Sequence, residues 1–144
     1  MWFNPIMAGL LRSPFHALIS RNTMLITVRG RRSGRAVTTP VNYVRHGDEL
    51  LTVSVRSRTW WRNLRGRQTP VELLLAGARR AATATVEETA AEVARGLAEV
   101  AAVSPMMARA LQIGLDSAGR AHPEDLAAAS SSRVIVRTRL STSS

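Results

Sequence analysis

The stretch best equipped to do chemistry is "RGRRSGR", residues 29–35, where four arginines share seven positions with two glycines and a serine. Guanidinium groups are permanently charged planar forks that pair bidentately with phosphate or carboxylate. The flanking sequence in "ITVRGRRSGRAVTTPV" is β-type on both sides, so Gly30, Arg31, Arg32, Ser33 and Gly34 read as a loop joining two strands. Gly30 and Gly34 permit positive φ, which would let successive N–H groups converge on an anion; Ser33 adds a hydroxyl, and Arg31, Arg32 and Arg35 add charge. From these residues alone, an anion clamp and a solvated basic turn are equally good readings.

A second stretch, "SVRSRTWWRNLRG" at 54–66, sets two of the chain's three tryptophans side by side, followed by Asn63. Neighbours on an α-helix point about 100° apart, so at most one Trp can face a given pocket: either one lies in the core and the other on a pocket wall, or both simply pack.

Other chemistries lack their parts. His16, His46 and His122 fall in a helix, a turn and a late loop without metal-ligand spacing, and no metal site is expected. Ser33, Ser54 and Ser57 have no evident base partner for a Ser-His-Asp arrangement. The chain has no cysteine, which excludes disulfides and thiolate chemistry. No residue is assigned as catalytic, and any difficult chemistry has to arrive with a cofactor.

The 144 residues suffice for one domain with its own core, residues 1–144. The net charge of +10 is unevenly placed: through Pro70 there are 12 Arg against Asp48 and Glu49, whereas from Val71 onward 8 Arg face 8 acids. The excess therefore lies around the Arg loop, where a small anion, a nucleic acid or a lipid surface would each be attracted. With no apolar run of membrane-spanning length and no leader-like start, the chain reads as cytoplasmic.

The elements that must position these residues follow from pattern. Asn4-Pro5 and Ser13-Pro14 start two short amphipathic helices, expected to cover the domain over residues 1–22, with an interfacial membrane contact through residues 2–19 as the alternative. Six strands alternate or are β-branched: "TMLITVR", "TTPVNYVR", "LLTVSVR", "TPVELLLAG", "ARRAATATV" and "RVIVRTRL". His46-Gly47-Asp48 turns the second into the third, implying a meander, and Gly77 turns the fourth into the fifth. Helices are expected at "RTWWRNLRG", ended by Gly66, at "EETAAEVARGLAEVAAV" with Val86, Ala90, Val93, Leu97 and Val100 on one face, from Ser104-Pro105, and at "HPEDLAAAS". The tail, 141–144, is expected to fray. The sum is an α+β chain forming a small, partly open barrel with helical cover.

"GRRSGRAVTTPVNYVRHGDELLTVS", then "WWRNLRG" and "PVELLLAGARRAATATVEE", resemble the deazaflavin (F420)-dependent nitroreductase-like family of the flavin/deazaflavin oxidoreductase superfamily. Its pattern is a Gly-basic-basic-Ser/Thr-Gly-Arg loop, a proline a few residues on, then Trp-Tyr/Trp-x-Asn-Leu. The C-terminal "LDSAGRAHPEDLAAASSSRVIVRTRL" is similar to one subgroup's closing segment, so the resemblance covers nearly the whole chain. It implies a split β-barrel, coenzyme F420 as cofactor, and hydride transfer from reduced deazaflavin to a small electron-poor acceptor of quinone, nitro or enone type. By position it implies that Arg31, Arg32, Ser33, Gly34 and Arg35 meet the phosphate and glutamyl tail. Pro40 and Asn42 would lie along the ring, Ser54, Val55 and Arg56 would offer it backbone groups, and Trp60 with Asn63 would close the far wall.

Three positions depart from the pattern. Val37 stands where many relatives carry a basic residue, leaving Arg56 or Arg58 to compensate; the loop before Trp60 is short; and Tyr43 is the sole tyrosine. The alternatives are FMN in place of F420, a non-catalytic binder of flavin, haem or fatty acid, and a nucleic-acid module; nucleic acid is not the expected partner. The chain is expected as a monomer or homodimer.

Overall fold

The computed structural model describes residues 22–141, so the expected cover helices, the membrane-contact alternative at 2–19 and the last three tail residues lie outside the described residues. Seven strands form one antiparallel sheet: β1 (Thr23–Arg29), β2 (Ala36–Asn42), β3 (Val44–His46), β4 (Glu49–Val55), β5 (Thr69–Leu75), β6 (Ala78–Glu87) and β7 (Arg133–Leu140). Their order across the sheet is β2-β1-β5-β6-β7-β4-β3.

The seventh strand corrects the expected meander. The run "TTPVNYVR" is not one strand but two, broken at Tyr43: β2 pairs with β1, and β3 pairs with β4 at the opposite end of the sheet. Six inter-strand spacings of about 4.8 Å would separate the two ends of a flat sheet by about 29 Å. A single residue spans only about 3.5 Å. The sheet must therefore curl until its ends meet, and the result is a barrel whose last boundary, between β2 and β4, carries no ladder.

The register shows why. Val44 lies opposite Leu51 in the β3–β4 pair, so continuing that ladder backwards would set Asn42 against Val53 and Pro40 against Val55. Instead β2 peels away to follow β1, with Leu25 opposite Pro40. Pro40 has no N–H to give a second ladder and belongs on a strand flanked on one side only.

Alternation fills the interior. Met24, Ile26 and Val28 of β1, Leu73 of β5 and Val134 and Val136 of β7 point into one core together with Trp61 and Leu64. The opposite face of β7 carries Ile135, against which α1 (Ala90–Val103) packs Val93 and Leu97. A Cβ at Gly96 would stand 2.6 Å from Ile135 Cγ1, so this glycine lets the helix lie directly on the strand. Thr89 caps α1 in a capping box with Glu92, which places Val86 on β6 rather than on the helix face expected from the sequence. Ser104 caps α2 (Pro105–Ala110), and α3 (Pro123–Ser130) begins with proline. Both hairpin turns use two residues: Gly47-Asp48, and Ala76-Gly77 with φ of 50° and 80°.

One polar cluster ties sheet to helix. Arg137 on β7 contacts Glu87 at 2.8 Å, Glu49 at 3.1 Å and Glu99 of α1 at 2.7 Å, and its side chain is 15% exposed. Burial acts to lower the Arg137 pKa, but the bonds to Glu87 and Glu99 outweigh it and the pKa is raised. A raised cation contributes fully below its unfolded pKa and loses that contribution only as pH climbs past the usual arginine range. We expect Arg137→Met to leave Glu87 and Glu99 without a cation, Glu49 keeping Arg139 at 3.6 Å, and to lower stability by about 3 kcal/mol. Thermal unfolding should give the same loss at pH 6 and pH 9; a loss below about 1 kcal/mol would mean that the three acids are satisfied without it.

Candidate functional site

The β1–β2 loop, residues 30–35, is stiffened by its own bonds. Gly30 N–H donates to the Arg35 carbonyl at 2.8 Å, and Gly34 N–H to the Gly30 carbonyl at 2.9 Å. Arg35 N–H donates to Ser33 Oγ at 3.1 Å, and Arg31 N–H to Asn63 Oδ1 at 3.1 Å. Of the two glycines only Gly34 uses positive φ, at 70°. Gly30 is small for another reason: a Cβ there would lie 2.7 Å from Ser33 Oγ. These bonds correct the expected concavity of N–H groups. Four of the loop's donors are already spent, so an anion here would be met chiefly by guanidinium groups.

Asn63 holds the loop to the next element. Its Oδ1 receives Arg31 N–H while its Nδ2 donates to the Trp60 carbonyl at 3.0 Å. Trp60–Leu64 is a 3₁₀ helix, whose three residues per turn stack positions three apart. Thr59, Arg62 and Arg65 accordingly form one row, and all three line a depression of about 550 Å³ together with Gly30, Arg31, Arg32, Ser33, Val37 and Asn63. The row of Trp61 and Leu64 turns into the barrel core.

The same geometry corrects the expected division of the tryptophans. Trp60 is 5% exposed and Trp61 1%, so neither is a pocket wall. Trp60 donates Nε1–H to Ser54 Oγ at 3.2 Å and packs in the barrel. Arg62 and Arg65 lie over the Trp61 ring, at 5.8 and 5.1 Å from its centroid. Arg65 also pairs with Glu88 at 2.9 Å; that bond is the main cause of its raised pKa. No carboxylate lines the depression, and Arg31 and Arg32 are exposed at its edge.

A second opening lies along the unpaired β2–β4 boundary. It is a groove of about 340 Å³ lined by Pro40, Val41 and Asn42 of β2, Val53, Ser54 and Val55 of β4, and Thr23 and Arg58. Thr23 Oγ1 donates to Asn42 Oδ1 at 3.0 Å, which leaves the Asn42 amide N–H groups as donors. Among the described residues neither imidazole, carboxylate nor phenol lines it.

The expected site residues therefore divide. Arg31, Arg32, Ser33 and Asn63 meet at the basic depression; Pro40, Asn42, Ser54 and Val55 meet at the groove. Gly34 lines a neighbouring depression with Arg29 and Arg67, which shares Gly30, Arg31 and Asn63 with the first. Arg35 is exposed and lines neither opening.

Arg56 does not join them. Its guanidinium donates to the carbonyls of Glu88 at 2.7 Å and Arg133 at 3.1 Å, and its N–H to the Ser132 carbonyl at 2.7 Å, which ties β4 to the start of β7. Sequence reasoning missed Arg62 and Arg65, whose signal was their spacing of three beside Thr59, and missed Thr23, Val41 and Val53, which carry no chemical signal of their own. Among the described residues no cluster of His, Asp or Glu could hold a metal, and no helix is long and apolar enough to cross a membrane.

Comparison with known proteins gives this geometry a setting. Among solved structures, a Listeria innocua protein assigned as a pyridoxamine 5′-phosphate oxidase is similar with a TM-score of 0.52 at 15% identity, over 96% of this chain and 92% of that one. HutZ, the heme storage protein from Vibrio cholerae, is similar with a TM-score of 0.50 at 14% identity, over 99% and 93%. An F420-H2 dependent reductase, FDR-A, gives 0.49 at 16% identity, over 81% and 94%. At such identities the first two likenesses establish a shared fold and nothing about ligands. No curated protein matches the chain in sequence. The family model of the F420H(2)-dependent quinone reductases matches residues 15–116, a span that holds the Arg loop, both walls of the groove and the Trp60–Leu64 helix. The chain thus belongs to the F420H(2)-dependent quinone reductase family, an oxidoreductase family whose cofactor is coenzyme F420.

Proposed function

We propose that this protein binds F420 with its phosphate and acidic tail at the Arg31–Arg32 depression and its ring in the β2–β4 groove, and reduces a small electron-poor acceptor of quinone, nitro or enone type. The observation that carries the proposal is the placement of the two openings along one strand. Val37 lines the basic depression, and Pro40 to Asn42 line the groove. At about 3.3 Å per residue, three to five positions along β2 separate them by about 10–17 Å. That arrangement fits a ligand that is anionic at one end, flat at the other, and linked by a short chain.

The donor set fits as well. Arg31, Arg32 and Arg62 offer charge at an acid-free rim, while Pro40, Val41, Val53 and Val55 offer apolar contact, with Asn42 amide N–H groups at the edge. When bound, reduced F420 supplies a hydride. The chain's own residues bind and orient: Asn63 fixes the loop against the 3₁₀ helix, and Arg58 bridges the groove to Thr39. Among the described residues no lining side chain is a carboxylate, imidazole or phenol, and what these residues furnish is position and desolvation.

Two substitutions test the arrangement by quenching of tryptophan emission on titration with oxidised F420, with FMN in parallel. Arg31→Ala with Arg32→Ala should cost about 1.5–3 kcal/mol for each charge-assisted hydrogen bond removed, a ten- to hundredfold rise in Kd per bond. Unchanged affinity would remove the loop from the site, and tighter binding of FMN would remove the cofactor. Asn63→Ala should release Arg31 from the 3₁₀ helix and weaken F420 binding by about 1 kcal/mol, roughly fivefold. If affinity holds while thermal stability falls, Asn63 serves the fold alone.

A further inference from the structure

Of the eight described residues that line the β2–β4 groove, four are apolar, three are neutral and polar, and one, Arg58, is charged. Its position follows from the short loop after β4. Arg58 N–H donates to the Val55 carbonyl at 3.1 Å, closing a turn that sends the side chain back across the boundary, where Nη2 donates to Oγ1 of Thr39 on β2. Arg56, two residues earlier, runs instead to the Glu88 and Arg133 carbonyls. Among the described residues no carboxylate lines the groove and none pairs with Arg58. The groove therefore presents an uncompensated cation to whatever lies flat within it.

We infer that Arg58 is the specificity-determining charge of this groove: it favours a conjugated ring that carries negative charge over a neutral one, and so selects the deazaflavin over a flavin. This rests on F420 being the ligand. The oxidised deazaflavin ring bears a phenol-like hydroxyl conjugated to the carbonyls of its far end, so its conjugate base spreads charge across the whole chromophore. A guanidinium at any edge of the ring stabilises that anion. The dimethylated ring of FMN has no such hydroxyl and gains nothing comparable. A cation at bonding distance from an acid lowers its pKa by about one unit or more, and solvent access to Arg58 sets the lower figure here.

The test is a pH titration of the visible absorbance of F420, free and saturated with wild type, Arg58→Gln or Arg58→Lys. The ring bound to wild type should ionise about one pH unit below free F420. Arg58→Gln should return the midpoint to that of free F420 and raise the Kd for F420 about tenfold at neutral pH, leaving the Kd for FMN unchanged. Arg58→Lys should keep most of the shift, which a merely structural role would not require. Equal midpoints in wild type and Arg58→Gln, with F420 bound to both, would overturn the role of Arg58 while leaving the cofactor in place. Absence of any saturable change with wild type would overturn the cofactor proposal and this inference with it.

Discussion

One residue, Tyr43, imposes the architecture. It joins two strands that sit at opposite ends of a seven-stranded order, and no flat or gently twisted sheet can satisfy that link. Closure is thus enforced by covalent geometry, whereas the ladder that would normally complete it is withheld because β2 follows β1. The interior is sealed by alternating apolar residues, and the boundary left unpaired becomes the groove. The same strand reaches the basic depression, which Val37 lines at the loop end of β2, opposite Val28 of β1.

A good part of this was legible in the sequence. Alternation marked every strand run, Ser104 sits where a helix begins as Ser104-Pro105 indicated, and the Arg loop stands between two strands as its β-type flanks indicated. The break at Tyr43 was not legible. "TTPVNYVR" is continuously β-type, and the pairing of its two halves depends on which neighbours tertiary contact supplies, something no local pattern encodes. Pro40 was a clue to an unpaired side, but a proline in a strand says only that one side is free.

The site residues divided for physical reasons of the same kind. Arg56 and Arg58 are chemically identical and two positions apart, so composition could not say which would face the groove; the turn closed by Arg58 N–H on Val55 decided it. Trp60 and Trp61 both go inward, and the outward row of the 3₁₀ helix is Thr59, Arg62 and Arg65. The loop's expected nest of N–H donors is reduced because three of its N–H groups bond within the loop and that of Arg31 goes to Asn63. In each case the residue type was right for its neighbourhood, and the direction was set by geometry beyond sequence reach.

The open boundary also bears on motion. At every other strand junction, separation would break a run of backbone bonds, but between β2 and β4 the described side-chain link is the single bond from Arg58 to Thr39, worth about 1 kcal/mol. Tyr43 pins the two walls at one end, where its N–H donates to the Asn22 carbonyl at 2.9 Å. The molecule therefore resembles a clasp hinged at Tyr43 and latched at Arg58. Among the described residues this junction has the fewest bonds to break, so widening there would cost less than parting any ladder and would leave the rest of the barrel intact.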